Sequence, residues 1–112
     1  MSEAVLDAGP LIHHSELGAL DAIGDFSALF VPKAVWGEVE CHRPEALKYP
    51  DIELQCVSAP LPSPSLMALG RALALDEGEI EALSLMDLHP EAILLTDDSA
   101  ARLAAEHRGF LK

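Results

Sequence analysis

The sequence predicts a three-layer α/β/α sandwich with a mainly parallel sheet. Short apolar runs typical of buried strands alternate with segments whose apolar residues recur at helical spacing, and this alternation is characteristic of such a sandwich. The chain has 112 residues, which suits one domain spanning residues 1–112. Half of the residues are hydrophobic but only 4% are aromatic, so we expect a packed, aliphatic core.

In the first half of the chain, apolar runs alternate with Gly and Pro residues that break them. Ala4-Val5-Leu6 ends on Asp7, and Gly9-Pro10 predicts a turn after this first strand. Pro32 suits the first turn of a helix, so a helix should follow it to about Cys41. The remaining predicted elements are a helix over 11–23, a strand over 27–31, a loop or short broken helix over 42–51, and a strand over 52–57.

In the second half, a proline-rich loop over 58–65 precedes two helices, over 66–75 and 77–88. Ala92 to Thr96 is the strongest strand pattern and ends on Asp97-Asp98. An alanine-rich helix over 99–107 should begin after Asp98, its expected cap, and end at Gly109. Phe110-Leu111 begins another apolar run, the expected start of a further strand.

The chain is strongly acidic, with a formal charge of −12, which at long range repels nucleic-acid phosphates. The basic residues are scattered. Cys41 and Cys56 form no CxxC pair, so we expect two free, partly buried thiols in a reducing cytosol. No apolar run approaches the ~18 residues of a membrane span, and Met1-Ser2-Glu3 lacks the basic start of a signal peptide. The expected location is cytoplasmic, without membrane association.

Two carboxylates follow apolar strands directly. Asp7 and Asp97 would reach the same rim of a parallel sheet, where ligands of α/β sheets bind. Crowded carboxylates repel each other unless one is protonated or a cation lies between them. Each Asp alone is also consistent with a turn or cap residue. The pair, on two apolar strands, favours a site for a divalent metal.

Glu79 is the acid of helix 77–88 that points where its apolar residues point. At ~100° per residue it shares a face with Ala82, Leu83 and Met86. The opposite, solvent-facing side should carry Glu77, Glu81, Ser84 and Asp87. A buried carboxylate needs a proton, a basic partner or a metal. Spacing does not choose between Glu38 and Glu40, which flank a stripe made by Val35 and Val39 on the preceding predicted helix.

Four segments together resemble PIN-domain proteins, and more narrowly the short prokaryotic PIN-like proteins related to VapC-type toxins. Each segment is short, but their order and spacing are specific. The segments are Val5-Leu6-Asp7-Ala8-Gly9-Pro10-Leu11-Ile12, Val31-Pro32-Lys33-Ala34-Val35-Trp36-Gly37-Glu38, Asp76-Glu77-Gly78-Glu79-Ile80-Glu81-Ala82-Leu83 and Leu94-Leu95-Thr96-Asp97-Asp98-Ser99-Ala100-Ala101-Arg102.

The resemblance implies a ribonuclease that uses Mg²⁺ or Mn²⁺. The narrower resemblance to VapC-type toxins implies the toxin of a toxin–antitoxin pair, with an antitoxin protein as partner. It assigns metal binding and catalysis to Asp7, Glu38, Glu79 and Asp97, and so favours Glu38 over Glu40. Thr96 and Asp98 would support these acids. The alternatives are a catalytically inactive PIN-like binding module, and a receiver-type or phosphatase-type domain with Asp7 as phosphoacceptor.

Compared with the family, the chain departs in two places. Most of the related toxins carry Asp near the Glu79 position, so the longer side chain alters the reach of that ligand. The chain is also C-terminally short, because it stops where the family usually adds a strand and a helix. An uncovered sheet edge would favour a homodimer, in which the predicted helices 11–23 and 66–75 are further candidate contacts.

Overall fold

Within residues 3–17, 27–48 and 53–109, which a computed structural model describes, the chain forms four strands and five α-helices. The strands are β1 (Glu3–Leu6), β2 (Ala28–Pro32), β3 (Leu54–Val57) and β4 (Ile93–Leu95). The helices are α1 (Ala8–Leu17), α2 (Lys33–His42), α3 (Pro64–Ala72), α4 (Glu77–Leu88) and α5 (Ser99–His107), with a short 3-10 helix over Pro44–Leu47.

The sheet is parallel throughout these residues, with the strand order β3-β2-β1-β4. Val5 of β1 lies between Phe30 of β2 and Leu94 of β4. The first three strands follow one another outwards, and the chain then returns to place β4 on the other side of β1. The strand order therefore reverses between β1 and β4, and open α/β sheets bind ligands outside the carboxyl ends of the strands at such a point.

The two faces of the sheet are covered by different helices. Ala4 and Leu6 of β1 pack with buried residues of α1, α2 and the 3-10 helix. Val5, which points to the opposite face, packs with α3, α4 and α5. This arrangement confirms the predicted α/β/α sandwich with a parallel sheet.

Most predicted elements are present, and their ends shift by a few residues. The main difference is at α1, which begins at Ala8, so Gly9-Pro10 belongs to its first turn instead of a separate turn. Proline is tolerated in a first helical turn because its missing N–H needs no partner there. Three predictions lie outside the described residues: the helix end near 23, the start of the third strand at Ile52 and the apolar run at 110–111.

Helix α4 has no single solvent face, which corrects the prediction for Ser84 and Glu81. Ser84 is only 2% exposed, and its Oγ donates a hydrogen bond to the Pro60 carbonyl at 2.7 Å. Glu81 Oε1 accepts the backbone N–H of Ala34 at 3.0 Å and so caps the start of α2, whose own cap position is Pro32. Helical spacing predicted one solvent-facing side for α4, but the helix packs against α2, α3, α5 and the sheet and so is covered on several sides.

The prediction that the two cysteine side chains are partly buried was wrong. Cys41 and Cys56 are free, but both are exposed. Cys41 lies on α2 away from the buried side formed by Val35 and Val39, and Cys56 is on β3, the last strand of the described sheet. No helix in the described parts of the chain is long and apolar enough to span a membrane.

The cap provided by Glu81 generates a stability prediction. We expect Glu81→Ala to lower the free energy of unfolding by about 1 kcal/mol, because the Ala34 N–H loses its acceptor at a helix start. Urea unfolding at pH 7 measures the change. Glu40→Ala on the exposed side of α2 is the control, and equal losses in the two variants would show that the cap contributes nothing.

Candidate functional site

A pocket of about 350 Å³ lies at the carboxyl edge of the sheet, where β1 and β4 end. All four acids that the sequence singled out line it. Among the described residues, the carboxylates at its walls are Asp7, Glu38, Asp76, Glu79, Asp97 and Asp98, and Ala8 and Gly9 of α1 also line it. The parallel sheet brings the strand-end acids together, as expected, and α2 and α4 supply the two glutamates.

Asp7 is buried and is held by two hydrogen bonds. Its Oδ1 accepts the backbone N–H of Ala8 at 2.9 Å, and its Oδ2 accepts the hydroxyl of Thr96 at 2.9 Å. The residue is only 7% exposed. Burial raises the pKa of Asp7, the two hydrogen bonds oppose that rise, and the charges of Asp76 and Asp98 add to it.

Thr96 is also buried and links Asp7 to the turn between β4 and α5. Its Oγ1 accepts the N–H of Asp98 at 3.1 Å while it donates to Asp7. Asp98 Oδ2 accepts the N–H of Ala101 at 2.7 Å, and this is the predicted cap of α5. From α5, Arg102 Nη2 donates to the Thr96 carbonyl at 3.2 Å. These four contacts hold the turn in one conformation.

Asp97 and Glu38 are exposed at the walls of the pocket. Asp97 approaches the first turn of α1 closely: a Cβ added to Gly9 would lie 3.0 Å from Asp97 Oδ2. Gly9 therefore leaves the space that Asp97 uses. On α2, the pocket is lined by Glu38, the acid that the resemblance favoured, and Glu40 is not among its lining residues.

Asp76 is a pocket residue that the sequence reasoning missed. Its Oδ1 accepts the N–H of Glu79 at 2.8 Å, and Glu79 Oε1 accepts the N–H of Asp76 at 2.9 Å. This reciprocal pair is a capping box at the start of α4. The signal was present in the sequence, because an Asp three residues before a Glu at the start of an apolar helical run marks such a box.

A proton on Glu79 removes part of the charge repulsion among the carboxylates at the pocket. Burial raises the pKa of Glu79 to about 8, and a hydrogen bond to Asp98 adds to the rise. The same hydrogen bond lowers the pKa of Asp98. At neutral pH the Glu79 carboxyl is therefore mostly protonated and donates to the Asp98 carboxylate. One of the six acids is neutral without any cation in the pocket.

The donor set fits a hard divalent cation in its chemistry. Every charged group that the described part of the chain contributes to the pocket lining is a carboxylate, and Mg²⁺ and Mn²⁺ prefer oxygen ligands. Among the described residues, no three His, Cys, Asp or Glu side chains are grouped closely enough to hold one ion together. Ligation would therefore require side chains to turn inwards, and the exposed Asp97 and Glu38 have the freedom to do so.

The proton on Glu79 predicts a pH effect on stability in the absence of metal. Between the ordinary pKa of 4.5 and the folded-state pKa of about 8, the folded chain holds a proton that the unfolded chain has lost. Stability from this group therefore falls as the pH rises through that window. In Glu79→Gln, the amide can keep both hydrogen bonds without titrating. We expect its melting temperature to lie close to that of wild type near pH 5 and to exceed it by about 10 °C or more at pH 8.

Thermal unfolding in EDTA at several pH values measures this difference. Comparison of the two proteins cancels the contributions of groups that they share. Parallel melting curves across the whole range would mean that Glu79 titrates near its ordinary pKa.

Comparison with known proteins gives one match. No curated protein and no solved structure matches the chain significantly. The family model DUF3368, described as a PIN domain, matches residues 3–111, which is nearly the whole chain. The parallel sheet and the pocket at its carboxyl edge agree with that match. The chain belongs to the PIN domain family.

Proposed function

We propose that the chain is a metal-dependent ribonuclease that hydrolyses phosphodiester bonds with Mg²⁺ or Mn²⁺. PIN domains are generally nucleases, and the family match gives the nuclease-type fold. The observation that carries the proposal is the convergence of Asp7, Glu38, Glu79 and Asp97 on one pocket. The preference for RNA as substrate rests on the resemblance of the four sequence segments to PIN-type ribonucleases.

In this proposal the same four carboxylates hold the metal. When bound, a divalent ion lowers the pKa of a coordinated water and offsets negative charge on phosphate oxygens. The chain positions the ligands: Asp7 is oriented by the Ala8 N–H and the Thr96 hydroxyl, and Glu79 by the Asp76 N–H. The Glu79 proton has to leave before this carboxylate can ligate a cation, so metal binding should weaken as the pH falls.

A catalytically inactive binding module is the second candidate. It is favoured by one observation, the lack of a ready-made group of three ligands among the described residues. Metal binding alone does not separate the two candidates, but cleavage does. The narrower role, toxin of a toxin–antitoxin pair with an antitoxin protein as partner, rests on the resemblance to VapC-type toxins.

We also propose that the chain forms a homodimer through α3 and α5. Two adjoining hollows, of about 410 and 380 Å³, lie along these helices and share Leu69. One is lined by Leu73, Leu103 and Glu106, and the other by small residues and Arg108. A two-fold axis beside Leu69 would pack the apolar side chains of the two copies, Leu73 and Leu103 among them, against each other.

The nuclease proposal predicts that purified wild-type protein cleaves tRNA in the presence of Mn²⁺ and leaves duplex DNA intact. Asp97→Asn should cut at a rate lower by about 100-fold or more, because it removes one metal ligand. Glu53→Gln, an exposed acid that does not line the pocket, serves as the control. Cleavage that survives in Asp97→Asn would point to a contaminating nuclease or to another site.

Calorimetric titration with Mn²⁺ then distinguishes an active enzyme from an inactive module. Wild type should bind Mn²⁺ and Asp7→Asn should lose most of that binding. Binding without any cleavage would favour the inactive module. Equal Mn²⁺ affinity in both proteins would reject the site itself.

The dimer proposal predicts that Leu103→Glu shifts the protein from dimer to monomer. Leu103 is 53% exposed, and a charge there would be buried against the second copy. Leu88→Glu is the matched control, since Leu88 is 59% exposed at the end of α4 and is not among the residues that line either hollow. Light scattering at micromolar concentration gives the mass. A monomeric wild type, or a dimer that persists in Leu103→Glu, would reject this interface.

A further inference from the structure

The pocket poses an electrostatic problem for any polyanionic substrate. Six carboxylates line it, and the whole chain carries a formal charge of −12. Even with Glu79 protonated and a divalent cation present, an RNA strand has to approach a predominantly acidic surface. A nuclease of this kind therefore needs a cationic group near the pocket to bind the phosphate backbone.

Arg102 is located where such a group is needed. Its Nη2 donates to the carbonyl of Thr96, and Thr96 immediately precedes Asp97 and holds Asp7 through its hydroxyl. The guanidinium therefore lies beside the turn that carries Asp97 and Asp98 into the pocket. Arg102 is exposed, so an approaching strand can reach it.

The charge of Arg102 is also available, which distinguishes it from two other arginines. Arg43 pairs with Glu45 at 3.7 Å, and Arg108 pairs with Asp87. Arg102 instead donates one of its five N–H groups to a neutral carbonyl, and the described part of the chain gives it no carboxylate partner. That single hydrogen bond orients the planar guanidinium, while its other donors remain able to bind an anion.

We propose that Arg102 binds a phosphodiester group of the RNA strand next to the bond that is cleaved. The fork of N–H donors matches two phosphate oxygens, and its fixed orientation reduces the entropy lost on binding. Arg102 would thus supply the attraction that the acidic pocket lacks. This inference rests on the proposed ribonuclease function and names the residue that contacts the substrate.

The test measures binding of a fluorescein-labelled 12-nucleotide single-stranded RNA by anisotropy, with Ca²⁺ in place of Mn²⁺ and over a series of salt concentrations. Arg102→Gln should bind roughly tenfold more weakly at low salt. The slope of log affinity against log salt should fall by about 0.7, the value for one lost phosphate contact on a single strand. Arg102→Lys should keep the wild-type slope with weaker binding, because it keeps the charge and loses the fork.

Arg43→Gln is the matched control, since it removes the same formal charge from an arginine beyond the end of α2 that is paired with an acid. It should bind RNA as wild type does. Circular dichroism and thermal unfolding confirm that the variants are folded.

Two outcomes would overturn the inference alone, and a third would overturn it together with the proposed function. A wild-type salt slope in Arg102→Gln would show that the residue only fastens the turn to α5. Equal weakening in Arg43→Gln would reduce the effect to general charge. Wild-type protein that neither binds nor cleaves RNA would reject the ribonuclease function and the inference together. RNA cleavage by wild type combined with unaltered RNA binding by Arg102→Gln would reject the inference alone.

Discussion

The hydrogen bond from the Thr96 hydroxyl to Asp7 joins the carboxyl ends of β1 and β4, and the organisation of the site depends on it. It holds a buried carboxylate at the point where the strand order of the sheet reverses. The same hydroxyl accepts the N–H of Asp98, so one side chain fixes Asp7 at the end of β1 relative to the acids that follow β4. Without it, Asp7 would keep one hydrogen bond, from the Ala8 N–H, to offset the free-energy cost of burying its carboxylate.

Several of the crowded carboxylates at the pocket also cap helices. Asp76 and Glu79 close the start of α4, and Asp98 closes the start of α5, so three of the six pocket acids also satisfy helix N–H groups. Negative charge is favourable at a helix start, which offsets part of the repulsion among these groups. The shared proton between Glu79 and Asp98 offsets more of it. The fold can therefore hold six acids around one pocket.

The sheet, the helices and three of the pocket acids could be predicted from the sequence because each depends on a local pattern. Asp7 and Asp97 follow apolar strands, and Glu79 shares a helix face with apolar residues. Glu38 was ambiguous from spacing, since the side of α2 that meets the pocket is decided by how α2 packs on the sheet and on α4.

The contacts of Glu81 and Ser84 could not be predicted for a related reason. Both depend on segments far away in the chain, with Glu81 bonded to Ala34 and Ser84 to Pro60. A period of 3.6 residues identifies one buried face, whereas α4 is covered on several sides, so its polar residues found internal partners. The exposure of Cys41 and Cys56 likewise follows from packing that composition does not encode.

The close approach of Gly9 to Asp97 bears on which substitutions natural selection can accept. An added methyl group at position 9 would lie 3.0 Å from Asp97 Oδ2 and 3.2 Å from Asp97 Cβ, so Asp97 would have to shift to admit it. The position of a carboxylate oxygen at the pocket would change with that shift. A substitution at position 9 would therefore act on the pocket through Asp97, and a relative that carries a larger residue there should have its last strand-end acid in a different position.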